Sequence, residues 1–265
     1  MDYKNLFRLD GQTVLITGSY GHLGGEISKG VSALGATVIL QGRNQQKLEA
    51  LSREISNSDG KSEIACFDLT NEKNLSDFIE KHAQRKINVI INNAYQGGAG
   101  SLTTSDPQNF RDSYELSLVK AFQLTKGLLP SLKIGVSKDN NASIINISSM
   151  YAMVSPDPSI YDSEKNQNPP FYGAAKAALI QFSRYAAVDL AKHGIRVNAL
   201  CPGPFPSEKV ISEQSKFVEK LAQKVPLGRI GNNTEITGPA IFLATKASSF
   251  VTGASLPVDG GWTAW

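Results

Sequence analysis

The chain has 265 residues, 41% hydrophobic and 19% charged, which suits a folded protein with one sizeable core and excludes wholesale disorder. Its 27 Lys and Arg against 24 Asp and Glu leave a formal net charge of +3. The basic residues are scattered, so no stripe tracks a phosphate backbone and no nucleic-acid partner is expected, while an anionic small molecule remains compatible.

Short apolar runs alternate with longer amphipathic ones. Thr13–Ile16 reads as a strand, followed by a Gly-rich turn and a helical stretch to about Leu34. Thr37–Leu40 is a second strand, and Asn44 begins a helix with Leu48, Leu51 and Ile55 on one face. Ile64–Phe67 is a third strand, Leu75–His82 lies in a third helix, and Asn88–Ile91 is a fourth strand. Pro107 stands near the start of a long helix that Pro130 is expected to end. Ser143–Ile147 is a fifth strand, Phe171–His193 the longest helix, Arg196–Leu200 a sixth strand and Ala254–Val258 a last one.

Strand and helix alternating at this spacing imply βαβ units with right-handed crossovers: an α/β, single-domain, doubly wound parallel sheet of about seven strands with helices on both faces. The strands show little apolar/polar alternation, as strands covered on both sides should. Tyr151–Pro170 breaks the rhythm, with Pro156, Pro158, Pro169 and Pro170, and a loop of that length in a compact domain is usually functional. Cys66 and Cys201 sit in apolar contexts and His22, His82 and His193 lack ligand spacing, so two buried structural thiols and no metal are expected. No apolar run approaches the ~20 residues of a membrane span. The opening MDYKNLFRLDGQ lacks a leader's charged and then apolar layout, so a cytoplasmic protein without a membrane partner is expected.

The first strand runs into Thr17-Gly18-Ser19-Tyr20-Gly21-His22-Leu23-Gly24-Gly25. Glycines between a strand and a helix let the backbone approach a pyrophosphate, and the helix N-terminus offers free N–H groups and a positive dipole end. Tyr172-Gly-Ala-Ala-Lys176 places a phenol and an ammonium four apart, on one helix face. There the ammonium can lower the phenol from its reference near ~10, making it a general acid or base. A second such pair, Tyr161-Asp-Ser-Glu-Lys165, stands 12 residues after Ser149. Pro169 and Pro170 follow it at once, so no long helix can carry it, whereas Tyr172 opens an Ala-rich helix leading into Arg196-Val197-Asn198-Ala199-Leu200-Cys201-Pro202-Gly203.

With these motifs the chain resembles the short-chain dehydrogenase/reductase family over essentially its full length. The family's usual turn is TGxxxGxG; here His22 takes the middle glycine's place and Gly21 stands one earlier, a spacing of the extended branch. The resemblance implies an NAD(P)-dependent oxidoreductase. Its cofactor contacts fall on Gly18, Ser19, Tyr20, Gly21, His22, Leu23 and Gly24; on Asp68 and Leu69 at the adenine; and on Asn93 and Ala94, with Tyr95 replacing the glycine of NNAG. Pro202, Gly203 and Ser207 match PGxxxT at the carboxamide, and Tyr172 and Lys176 reach the nicotinamide ribose. Gly42-Arg43 stands where NAD-preferring members carry an acid. A guanidinium there suits a 2′-phosphate, favouring NADP(H) over NAD(H), unless Arg43 is only a solvated helix-start residue.

The catalytic set implied is Ser149, Tyr172 and Lys176, with Ser148 the alternative to Ser149 as the group that orients the substrate oxygen. Ser117 stands where the family's relay Asn would be, altering the relay or leaving it to another group. An insertion of about ten residues at 151–170 lies beside the expected substrate pocket. The stretch at about 205–225, with Val210, Ile211, Phe217 and Leu221 in helical period, is a lid or else an ordinary surface helix. The C-terminal region implies a homodimer or homotetramer. SPDPSIY, NPPFYGAAK and VPLGR with VDGGWTAW resemble the flagellin-glycan or legionaminic-acid-pathway dehydrogenases, implying a sugar-like substrate in carbohydrate biosynthesis. The other readings are a 3-oxoacyl-thioester reductase and, in a different class, a non-catalytic NADP-binding sensor or scaffold.

Overall fold

The computed structural model describes residues Tyr3–Trp265; the first two residues of the opening stretch lie outside it. Among the described residues seven strands form: β1 Thr13–Thr17, β2 Thr37–Gly42, β3 Lys61–Cys66, β4 Val89–Asn92, β5 Ser143–Ile147, β6 Arg196–Pro202 and β7 Ser255–Val258. They pair in parallel in the order β3-β2-β1-β4-β5-β6-β7. Leu15 lies beside Ile39 and Ile90, and Asn92 beside Asn146. The period of two along each strand divides the core. Val14 and Ile16 face α1 (His22–Ala33), α2 (Gln45–Asn57) and α10 (Thr237–Ala244). Leu15 and Ile90 face α3 (Glu72–His82), α5 (Lys120–Gly127), α6 (Leu129–Asp139) and α7 (Pro170–Ala191). Each fully buried Leu or Ile contributes about 1.5–3 kcal/mol of transfer free energy.

The strand order reverses between β1 and β4, so the loops at their carboxyl ends diverge and leave a crevice, the usual ligand site of such sheets. Among the described residues no helix is long and apolar enough to cross a membrane.

Several expected boundaries are corrected. β3 begins at Lys61, three residues before Ile64, and ends before Phe67. It is one of the two edge strands, and its last residue, Cys66, is exposed, whereas Cys201, inside β6, is a buried thiol. The long helix from Pro107 is three pieces: α4 (Pro107–Tyr114), a π-helical turn at Glu115–Val119, and α5. Pro130 does not simply end it. Lacking an N–H, Pro130 fits the first turn of α6, a helix absent from the expectation. The stretch at about 205–225, expected as one helix, is two, α8 (Glu208–Glu213) and α9 (Ser215–Lys224), broken at Gln214, which leaves the helical region at φ −132° and ψ 52°.

Candidate active site

β1 and β4 deliver Thr17, Gly18, Asn93 and Ala94 to the crevice. Thr17 Oγ accepts from the Asn93 and Ala94 N–H groups at 3.0 Å each, while Asn93 Nδ2 donates to Gly18 O at 3.0 Å. Gly18 is left-handed at φ +61°, and a Cβ on Gly24 would lie 2.4 Å from Gly18 O. Gly21 caps α1 without any side-chain acceptor, so the first-turn N–H groups at His22 and Leu23 have no capping side chain. This cradle, floored by glycine where a Cβ would intrude, fits a pyrophosphate. Ser19, expected at the cofactor, is part of the loop's own hydrogen bonding. It is fully buried, and its N–H and hydroxyl both donate to Gln41 O, at 3.0 and 3.1 Å, tying the loop to β2. His22 Nε2 is buried without a partner.

At the far end of the crevice, the Tyr20 ring lies over Gly42, where a Cβ would stand 2.4 Å from it. Arg43 Nη1 is 3.7 Å from Asp68 Oδ2, and both side chains are largely exposed. Asp68 Oδ1 accepts from Thr70 N and Oγ at 2.9 and 2.8 Å. Partial burial opposes ionisation, but Thr70 and Arg43 hold the Asp68 carboxyl below its usual range. Lys47, which sequence reasoning missed, sits on α2 with Nζ 5.7 Å from the Tyr20 centroid. A second cation four residues after Arg43, in a helix's first turn, was the available signal. Leu69 is buried.

Ser148, Ser149, Tyr172 and Lys176 meet where β5 ends. Ser148 Oγ donates to Lys176 O at 2.8 Å and is thereby occupied, whereas the Ser149 hydroxyl faces Tyr172 and accepts from Tyr151 N at 3.1 Å. Tyr172 and Lys176 occupy successive turns of α7, which Pro170 opens at its first position. Lys176 Nζ donates to Ile147 O at 2.7 Å, and burial lowers its pKa to about 8, with Cys201 opposing weakly. Burial raises the Tyr172 phenol, against the Ser149 hydrogen bond. Lys176 Nζ stands 5.8 Å from the Tyr172 ring centroid.

Ser117 lies in the π-helical turn, where the Lys120 N–H reaches back to Glu115 O. Its hydroxyl is buried with no partner. Asn92 Oδ1 is likewise unpartnered, while Asn92 Nδ2 donates to Asn146 Oδ1 at 2.8 Å. Both residues, with Thr17, Lys120 and Lys176, line a cavity of about 10 Å³ behind the site, near the size of one water. Lys120 is buried between Glu115, at 2.6 Å, and Glu72.

The 151–170 segment packs as three short 3-10 turns against the stretch at about 205–225. Asp157 Oδ2 meets Lys224 Nζ at 2.5 Å, Asp162 meets Lys220 at 3.6 Å, and the Tyr161 ring lies 5.5 Å from Phe217. Tyr161 is not on a helix with Lys165, which is exposed; its hydroxyl pairs with Tyr151 Oη at 3.2 Å. Pro202 ends β6, and Gly203 passes so close to Asp259 that a Cβ would lie 2.4 Å from its Cα. Ser207, expected at the carboxamide, caps α8 by accepting from Val210 N at 3.4 Å, which leaves its hydroxyl proton free to donate.

Residues 21–263 match the adh_short_C2 family, described as Enoyl-(Acyl carrier protein) reductase. The chain is 31% identical to galactitol 2-dehydrogenase (L-tagatose-forming) of Cereibacter sphaeroides over 100% of both chains. It is similar, at 28% identity and a TM-score of 0.85 over 98% of each chain, to a gluconate 5-dehydrogenase from Burkholderia cenocepacia in complex with NADP and tartrate. The same identity, TM-score and coverage relate it to a 7α-hydroxysteroid dehydrogenase complexed with NADH and 7-oxo glycochenodeoxycholic acid. Together with the glycine cradle and the parallel sheet that presents it, these likenesses establish that the chain belongs to the short-chain dehydrogenase/reductase family of NAD(P)-dependent oxidoreductases.

Proposed function

We propose that this oxidoreductase interconverts a carbonyl and an alcohol on a polyhydroxylated small molecule, a sugar, sugar acid or polyol, with NADP(H) preferred over NAD(H). The observation that carries the chemistry is the convergence of Ser149, Tyr172 and Lys176 beside the glycine cradle. A bound nicotinamide supplies or accepts the hydride. In the reductive direction Tyr172 Oη holds the proton given to the carbonyl oxygen, and Ser149 Oγ orients that oxygen. Lys176 supplies positive charge beside the phenol, and Ser117, Asn92 and Lys120 line the space behind it through which that proton is replaced. Gly18, Gly21 and Gly24 hold the pyrophosphate, Asn93 and Ala94 brace the cradle, and Tyr20, Arg43 and Lys47 take the 2′-phosphate end.

The 151–170 segment acts as a substrate-side insertion, and α8–α9 as the lid it clamps through Asp157 and Lys224. The substrate reading is a small hydroxylated molecule rather than an acyl chain. This agrees with the galactitol and gluconate activities of the relatives and includes the nonulosonic-acid type of sugar. The exposed Tyr185 and Val188 on α7 support a homodimer or homotetramer, and the exposed Cys66 thiol suits a reducing cytoplasm. Purified protein given NADPH or NADH with keto-sugars, keto-acids and a 3-oxoacyl thioester tests the reading by loss of nicotinamide absorbance. Turnover of a keto-sugar or sugar keto-acid, faster with NADPH, is expected. Turnover of the thioester alone overturns the substrate class. Cofactor binding with no turnover of any of them overturns the catalytic reading.

A further inference from the structure

The turn that braces the cradle continues Asn92-Asn93-Ala94-Tyr95-Gln96-Gly97-Gly98, so a tyrosine follows immediately on the cofactor-side loop. Its ring reaches the reacting pair. Lys176 Nζ lies 5.0 Å from the Tyr95 centroid, nearer than the 5.8 Å to Tyr172. The Tyr95 and Tyr172 rings meet edge to face, 4.8 Å apart at 67°. Room for this ring is made by Gly97, where a Cβ would lie 2.2 Å from Tyr95 Cε1 and 2.4 Å from its oxygen.

We propose that Tyr95 is a positioning residue of this active site, its ring face holding the Lys176 ammonium and its contact with Tyr172 setting the plane of the phenol. The inference rests on the reading of Tyr172 and Lys176 as the proton donor and its partner. Lys176 forms no salt bridge among the described residues and has Ile147 O as its hydrogen-bond acceptor. The titratable groups facing it are the Tyr95 and Tyr172 phenols, the Cys201 thiol on β6, and the Lys120 ammonium across the small cavity. None of these is an anion at neutral pH, so an aromatic face is the available stabiliser of a buried cation, and such contacts strengthen away from water.

Burial pushes the Tyr95 phenol up to about 12, with Ser113 opposing. Its oxygen is buried without a hydrogen bond. The ring is therefore the functional part. Thr17 also braces the Asn93–Ala94 turn, so the dinucleotide cradle and the Lys176 environment share one support.

The test compares Tyr95→Leu, which keeps apolar bulk but removes the quadrupole, with Tyr95→Phe, which keeps the ring. Lys176 is followed by NMR in ligand-free protein carrying 13C at lysine Cε, and kcat and KM are measured against pH on the best carbonyl substrate with NADPH. In Tyr95→Leu the Lys176 midpoint is expected about one pH unit lower, with kcat down about tenfold and KM within about twofold. The conservative Tyr95→Phe restores both. Gly97→Ala, which forces the intact ring away, reproduces the leucine phenotype and serves if that variant fails to fold.

An unchanged Lys176 midpoint and rate in folded Tyr95→Leu overturns the proposal, as does a Tyr95→Phe equally impaired. Tyr172→Phe is the control: its retention of activity overturns the proton-donor reading, while the Lys176 titration still judges Tyr95 independently.

Discussion

Replacing Lys176 by methionine is expected to abolish turnover and yet raise stability at neutral pH. Burial lowers the ammonium from the ordinary lysine value of 10.5 to about 8, which corresponds to a folding penalty of about 3 kcal/mol. Methionine removes the charge and keeps an unbranched chain of similar length. Against that, Ile147 O loses its 2.7 Å donor and the two tyrosine faces lose a cation, together about 1–2 kcal/mol. The net gain is about 1–2 kcal/mol, or about 2–8 °C in Tm for a domain of this size.

The pH dependence follows from the direction of the lowering. Below about 8 both the folded and the unfolded chain bind the proton, so the penalty is complete. Between about 8 and 10.5 the folded state has lost a proton that the unfolded state keeps, and the wild type recovers stability as pH rises. Paired thermal melts of variant and wild type at about pH 7 and pH 10, followed by circular dichroism, read the difference. A variant less stable at the lower pH, or an advantage undiminished at the higher one, would refute the reasoning.

Arg196 should behave oppositely although it is also a buried cation, held down to about 10 by burial. Its guanidinium donates to Leu243 O, Thr245 O, Val251 O, Ser248 Oγ and Asn141 Oδ1 at 2.7–3.5 Å, so Arg196→Met strands several acceptors and should lower stability by about 3 kcal/mol in denaturant titration. Tyr172→Phe should reduce kcat at least about a thousandfold, whereas Tyr161→Phe stays within about threefold in the same assay; the reverse would reassign the proton donor. Arg43→Ala should weaken NADPH about 10- to 100-fold and NADH less than about threefold in fluorescence titrations. Equal losses would make Arg43 an ordinary surface residue.

The βαβ order, the glycine turn and the Tyr172–Lys176 pair were legible because each rests on local rules. Apolar run length, glycine's lack of a Cβ and the four-residue spacing on a helix face need no knowledge of what packs against them. The proline argument against Tyr161 was local too, and Tyr161 lies on no helix. Pro130 was misread because one residue type marks both the end of one helix and the first turn of the next. Cys66 was misplaced because an apolar neighbourhood says nothing about whether a strand is central or outermost.

What the sequence determined alone is therefore the fold class and the placing of Tyr172 and Lys176 one turn apart on the same helix. The tertiary structure decided what surrounds that pair. It turned Ser148 to a helix carbonyl and Ser149 to the phenol, gave Ser19 and Ser207 structural hydrogen bonds, and left Ser117 unpartnered behind the lysine. It also brought Tyr95 from the end of β4 onto Lys176, 81 positions later in the chain. The physical reason is that burial and hydrogen-bond partners are set by elements distant in sequence, and a hydroxyl or an ammonium takes its chemical character from those partners.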